Sequence, residues 1–260
     1  MAFVINNEIK IHYHIDGDAD GDPLVLMHGF MGSIESWYTL GYIRLLSQKF
    51  MVISIDARGH GSSDKPHSVN AYLDKTMAED VIAVINQLKL DKVNYFGFSM
   101  GGRIGFELFA YYPDRFSSMI LAGQTPGPRT EFGKQSDSKR LALFEKGTDI
   151  YRKVLRKSPP EFGSYLNAAL NGDLRAFISK TKANALRLDI SGLVSKRSIP
   201  CLIYAGSLDK LSHDSVQEYS RKIKSAQFIS VPKINHMESI SKTDIIIPII
   251  QEFLRINTLS

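Results

Sequence analysis

Gly97-Phe98-Ser99-Met100-Gly101-Gly102 follows the apolar run 93–96 and precedes a helix-like run over 103–112. Where a buried strand turns abruptly into a helix, the central residue takes a strained backbone conformation and its neighbours must be small. Gly97 and Gly101 are those neighbours, and Ser99 stands at the centre. The pattern predicts a nucleophile elbow. Such a turn lifts the Ser99 hydroxyl above the sheet edge, and the start of the next helix offers free N–H groups and a partial positive charge to a developing oxyanion. A bare G-x-S-x-G turns up in loops by chance; the strand before it and the helix after it give it meaning here.

Working outward, short apolar runs at 24–27, 50–55 and 116–122 read as buried strands, and 199–205 and 226–231 as the last two strands of the sheet. Helical patterns separate them. A helix is predicted over 35–46. Another runs from 74 to 88, with Met77, Val81, Val84, Ile85 and Leu88 packing and Glu79, Asp80 and Gln87 facing water. Further helices follow at 214–223 and 243–254, the last with Pro248 as a local kink. At the N-terminus, 3–5 and 8–15 alternate apolar and polar residues around Asn6-Asn7, a hairpin at an antiparallel edge. Strands alternating with helices predict an α/β fold with a mostly parallel sheet of about eight strands and right-handed crossovers.

Between 123 and 199 the alternation stops. Helix-like pieces at 139–146, 150–157 and 174–188 are broken by Pro126, Pro128, Pro159-Pro160 and Asn171-Gly172. A strandless interval between core strands reads as an insertion: a helical cap at 124–198 over a core of 1–123 and 199–260.

The 260 residues are enough for one large domain, and 43% hydrophobic with 23% charged residues is the composition of a folded globular chain. The single Cys201, in an apolar run, reads as a buried structural thiol and excludes an intramolecular disulfide. No run of 18 apolar residues occurs, and the first residues lack the basic and apolar regions of a signal peptide, so a cytoplasmic protein is expected. The net charge of +5 is uneven: 129–187 holds 13 Lys and Arg against 6 Asp and Glu. These are read as solvated helix faces, with steering of an anionic substrate as the sharper alternative. Without interleaved aromatics in a recognisable module they do not suggest nucleic-acid binding. A monomer or homodimer acting on a small molecule is expected.

Serine needs a base within hydrogen-bond reach and a third group to orient that base. Asp209 and His236 lie just after the last two strands, at the carboxyl edge where Ser99 also emerges. Gln124, after the preceding strand, is not acidic, which leaves Asp209 as the acid, with Asp214 in reserve and His213 as a surface neighbour. Two backbone donors should converge on an oxyanion, one after the nucleophile and one from a loop above a neighbouring strand. Met100 and Phe30 are the candidates, the latter in His28-Gly29-Phe30-Met31-Gly32. His28 is read as holding that loop, and Asp56 and His60, in the loop 56–64, as structural ties. Met31 is a candidate pocket residue; Trp37 either walls the pocket or packs.

With these residues in place the chain resembles the α/β-hydrolase fold family, in its compact group of carboxylesterases, lactonases and related hydrolases. The likeness rests on His28-Gly29-Phe30, 56–64, 97–102, Asp209 and His236 and covers nearly all of the chain outside the cap. It implies Ser99 as nucleophile, His236 as base and then acid, Asp209 as orienter, and the Phe30 and Met100 amides as oxyanion hole. Neither metal nor organic cofactor is implied. Asn235 departs from the glycine that many relatives place before the histidine. Relatives that place an aspartate at the elbow, the haloalkane dehalogenases and epoxide hydrolases, are excluded by Ser99. The expected activity is that of a serine carboxylesterase for small esters. Second comes hydrolysis, lactone opening, carbon–carbon cleavage or menaquinone-type elimination on an anionic or cyclic substrate, and third a slow-turnover signalling receptor.

Overall fold

In the computed structural model, which describes residues 2–210 and 212–257, the apolar runs become one eight-stranded sheet. Its strands are β1 (Ala2–Asn6), β2 (Ile9–Asp16), β3 (Asp22–Met27), β4 (Phe50–Ile55), β5 (Val93–Phe98), β6 (Phe116–Ala122), β7 (Cys201–Gly206) and β8 (Ala226–Val231). They lie in the order β1-β2-β4-β3-β5-β6-β7-β8. β2 is antiparallel to β1 and β4, and the other pairs are parallel. Asn7 and Glu8 both take positive φ, 48° and 66°, the turn that matches the twist of two hairpin strands. β4, β5 and β7 are buried at every position, as strands covered on both faces must be.

The first helical pattern is two helices rather than one. Gly41, at φ 79°, separates α1 (Ile34–Thr39) from α2 (Tyr42–Leu46), because a left-handed residue cannot continue a right-handed helix. α3 (Asp74–Gln87) buries Met77, Val81, Val84 and Ile85 as its spacing requires. Asp80 corrects the water-facing expectation: it is buried and takes two hydrogen bonds from Arg58, at 2.6 and 2.7 Å, and one from Asn6 at 2.8 Å. Periodicity assigns a carboxylate to water; a guanidinium delivered by the 56–64 loop keeps this one inside.

α4 (Met100–Tyr111) follows the elbow. The interval between β6 and β7 then carries α5 (Glu131–Phe144), α6 (Thr148–Leu155), α7 (Gly163–Leu170), α8 (Leu174–Ala183) and α9 (Ser191–Val194). α7 lies outside the helical pieces predicted for this interval, and the piece expected over 174–188 ends as a helix at Ala183. α10 (His213–Ser220), α11 (Glu238–Ser241) and α12 (Thr243–Asn257) complete the chain, with Pro248 inside α12.

Two apolar cores cover the faces of the sheet, and a third, of Met31, Phe144, Tyr151, Leu155, Ala169 and Phe177, joins the inserted helices to the β3 loop. Both ends of the insertion meet Arg103, one turn beyond Ser99: its Nη1 donates to the Pro126 carbonyl at 2.9 Å and its Nη2 to that of Leu188 at 3.0 Å. Lys180 of α8 reaches Asp74 of α3 at 3.3 Å. The helices are thereby fixed over the carboxyl edge of the sheet.

Candidate active site

Ser99 has φ 53° and ψ −110°, and its amide donates to the Ala122 carbonyl at 2.8 Å. This is the strained turn read from the sequence. Its tightness explains the glycines: a Cβ on Gly97 would lie 2.3 Å from the Gly101 carbonyl oxygen, and one on Gly101 would lie 2.1 Å from that of Met27.

Asp209 follows β7 and His236 follows β8. The His236 Nε2 lies 2.9 Å from the Ser99 Oγ, and its Nδ1 lies 2.6 Å from Asp209 Oδ2. Ser212 Oγ donates to the same Asp209 oxygen at 2.5 Å, and the carboxylate is buried. The imidazole stands between Phe98, with ring centroids 5.1 Å apart, and Gly123, whose missing side chain leaves it room. Gly123 has φ 63°, and a Cβ there would sit 2.9 Å from His236 Cε1. Asp214 is fully exposed beside His213 instead, and takes no part in this row.

Asn235 and Glu238 brace the histidine loop reciprocally. The Asn235 amide donates to the Glu238 carboxylate at 2.8 Å, and the Glu238 amide donates to Asn235 Oδ1 at 3.0 Å. The Asn235 side chain also reaches Glu161 of the insertion at 3.3 Å. The departure from glycine at 235 thus adds a tie to the helices above.

In the loop after β3, the Gly29 amide donates to Tyr165 Oη (3.1 Å), the Met31 amide to His60 Nε2 (3.1 Å) and the Gly32 amide to the Gly29 carbonyl (3.0 Å). The Phe30 amide has no protein acceptor among the described residues. Met100, first residue of α4, has no intrahelical carbonyl to bond. Both residues line the cavity that holds Ser99.

His28 and His60 hold this loop as neutral rings. His28 Nδ1 donates to the Gly29 carbonyl and its Nε2 accepts from the Ala57 amide; His60 Nδ1 donates to the Arg58 carbonyl. Burial pulls both rings below their usual range, His60 to about 3. Burial opposes the charge of Asp56, but hydrogen bonding from His12, the His28 ring and the Ser62 and Ile34 amides outweigh it and hold the carboxyl at about 2.

The signs agree. Below pH 6.5 the unfolded chain takes up protons that the native histidines refuse, and below about pH 4 it protonates an aspartate that the native state keeps charged. Stability is therefore lost as pH falls from 6.5 towards 2, His60 alone contributing about 3 kcal/mol between pH 7 and 4. Thermal melts at pH 7, 5.5 and 4 should show a progressive drop that flattens in His60→Gln, whose amide does not titrate. Equal melting temperatures at pH 7 and 4 would refute this account.

The cavity beside Ser99 measures about 300 Å³, the low end for small-molecule sites. Met31 lines it. Trp37 does not: it is fully buried between Tyr42 and Phe96, with ring centroids 5.2 and 5.3 Å away, which corrects its reading as a pocket wall. Sequence reasoning missed Phe162 and Tyr165, which line the cavity from around the unforeseen α7, and the charged set Asp74, Arg103, Arg129, Arg140, Lys180 and Arg187. Only the basic excess over 129–187 hinted at the latter. Among the described residues no cluster of His, Cys, Asp and Glu is placed to hold a metal, and no helix is long and apolar enough to cross a membrane.

A mostly parallel sheet with a serine on a strained strand–helix turn, hydrogen-bonded to a histidine and through it to an aspartate, defines a class of α/β proteins. The chain belongs to the α/β-hydrolase fold family, whose sequence profile matches residues 22–185. It is 28% identical to a putative 2-succinyl-6-hydroxy-2,4-cyclohexadiene-1-carboxylate synthase of Bacillus subtilis, over 98% of each chain. It is 26% identical to 3-oxoadipate enol-lactonase 2 of Acinetobacter baylyi, over 79% of this chain and 78% of the relative. Among solved structures it shares the fold of a carboxylesterase from Nitrososphaera gargenis, with a TM-score of 0.87, 19% identity and 98% coverage of both chains. An esterase from Thermogutta terrifontis, with malate bound, superposes with a TM-score of 0.83 at 23% identity over 99% of both.

Proposed function

We propose that this protein is a carboxylic ester hydrolase, acting on small esters or lactones through Ser99, His236 and Asp209. The reading is carried by the continuous row from Asp209 through His236 to Ser99 at the wall of a small-molecule cavity. Ser99 Oγ attacks the carbonyl as His236 Nε2 takes its proton, and Asp209 keeps the remaining proton on Nδ1 and stabilises the imidazolium. The Phe30 and Met100 amides receive the oxyanion. His236 then protonates the leaving alcohol, and the acyl-enzyme is hydrolysed by a water that His236 deprotonates.

Hydrolysis of p-nitrophenyl esters from acetate to decanoate tests this, together with intact-protein mass spectrometry after rapid quenching. Turnover that is fastest at short chain length, with an acyl mass added at Ser99, is expected from the cavity's size. Inert esters, with Ser99 still labelled by a fluorophosphonate, would overturn it. A second reading, elimination from a carboxylate-bearing substrate with the same serine and histidine moving the proton, is supported by the relative named as a carboxylate synthase, which aligns over 98% of both chains. It predicts product without any covalent intermediate.

A further inference from the structure

The lining of the cavity is of two chemical kinds. Phe98, Phe162, Tyr165, Met31 and Met237 supply apolar surface, whereas Arg103, Arg129, Arg140, Lys180 and Arg187 supply five cations. Three carboxylates are packed against those cations. Asp74 takes Arg103 and Lys180, Glu107 takes Arg103, and Asp137 takes Arg129 and Arg140. Two positive charges are left in excess.

The excess can be located. Arg103 spends its donors on Asp74, Glu107 and the Thr125, Pro126 and Leu188 carbonyls, so it is part of the scaffold. Lys180 is held by Asp74 and Asn184. Arg187 is different. Its terminal nitrogens reach only neutral acceptors, Gln124 Oε1 and Thr125, its Nε is buried without a hydrogen-bond partner, and it forms no ion pair among the described residues. Arg140 gives one nitrogen to an Asp137 already shared with Arg129, and its guanidinium lies over the Phe30 ring, 5.2 Å from the centroid. Phe30 is the residue whose amide faces the proposed oxyanion.

We propose that these cations make the cavity an anion site, in which Arg187 and Arg140 hold a carboxylate carried by the substrate while its ester or lactone carbonyl lies at Ser99. The proposal rests on the hydrolase reading and names its substrate class: a half-ester or lactone of a dicarboxylic acid. A planar guanidinium with free N–H groups in a partly dry wall suits a carboxylate, and desolvation strengthens the pairing. Burial, and then the neighbouring Arg103, pull Arg187 down to about 9, a cost that a bound anion would relieve.

The test compares p-nitrophenyl hexanoate with mono-p-nitrophenyl adipate, in which a carboxylate replaces the terminal methyl, after subtraction of uncatalysed hydrolysis. In parallel, adipate is tested for slowing the labelling of Ser99 by a fluorophosphonate. Wild type should favour the charged ester in kcat/KM by about 10- to 100-fold, or be protected by adipate, with added salt weakening the effect. Arg187→Gln, checked by its melting curve, should abolish most of the preference and protection, and Arg140→Gln, the second variant, should reduce both. Equal kcat/KM values with no protection, or effects indifferent to both substitutions, would overturn the subsite and leave the esterase standing. If neither ester is turned over, the hydrolase reading falls by itself, and adipate protection still decides the subsite.

Discussion

Ser99→Ala is expected to lower kcat by about 10⁴- to 10⁶-fold on any ester the wild type turns over, with KM nearly unchanged. The substitution removes the only group in the row able to form the acyl bond. His236 and Asp209 retain their 2.6 Å contact but have nothing to deprotonate except water. The residual rate over uncatalysed hydrolysis comes from binding and from the two amides, which do not depend on the serine side chain. Folding should be nearly unaffected. Alanine suffers no more at φ 53° than serine does, and the Ser99 amide bond to the Ala122 carbonyl belongs to the backbone. Esterase assays beside thermal melts would check both halves. An alanine variant that keeps even a tenth of the activity would assign the nucleophile elsewhere.

Gly101→Ala should cost about 4 kcal/mol or more, a large part of the total in a chain of marginal stability. The new Cβ would stand 2.1 Å from the Met27 carbonyl oxygen and 3.0 Å from that of His28. Neither is the movable end of a side chain. Met27 is the last residue of β3, held between β4 and β5, so relief requires breaking pairs in the middle of the sheet. Gly163→Ala is the control. It lies at the start of α7 with nothing within 4 Å of its missing Cβ, and alanine there should be neutral or stabilising by up to about 1 kcal/mol. Chemical denaturation of the two variants would show whether space, rather than helix propensity, decides. Similar midpoints would remove the packing explanation of the elbow glycines.

The same distinction separates what could be read in advance from what could not. Strands, elbow and the order Ser99, Asp209, His236 were legible because each depends on local chemistry. A two-faced strand must be apolar throughout, a crowded turn must be glycine, and a parallel sheet delivers all its loops to one edge. The break at Gly41 was legible in principle, since a glycine inside a helical pattern is a warning.

Other features depend on which partners the folded chain brings into reach. Asp80 is inside because Arg58 meets it, Trp37 is core because Tyr42 and Phe96 enclose it, and Asn235 braces a loop because Glu238 and Glu161 are within reach. The charges over 129–187 could be counted but not placed. Solvated lysines on a helix face and arginines turned into a cavity have the same composition. Local pattern therefore determines where the serine stands, since a turn's sterics act over a few residues. What the cavity around it attracts depends on which charges are neutralised by neighbours up to about a hundred residues away, as Lys180 is by Asp74, and that balance exists only once the chain has folded.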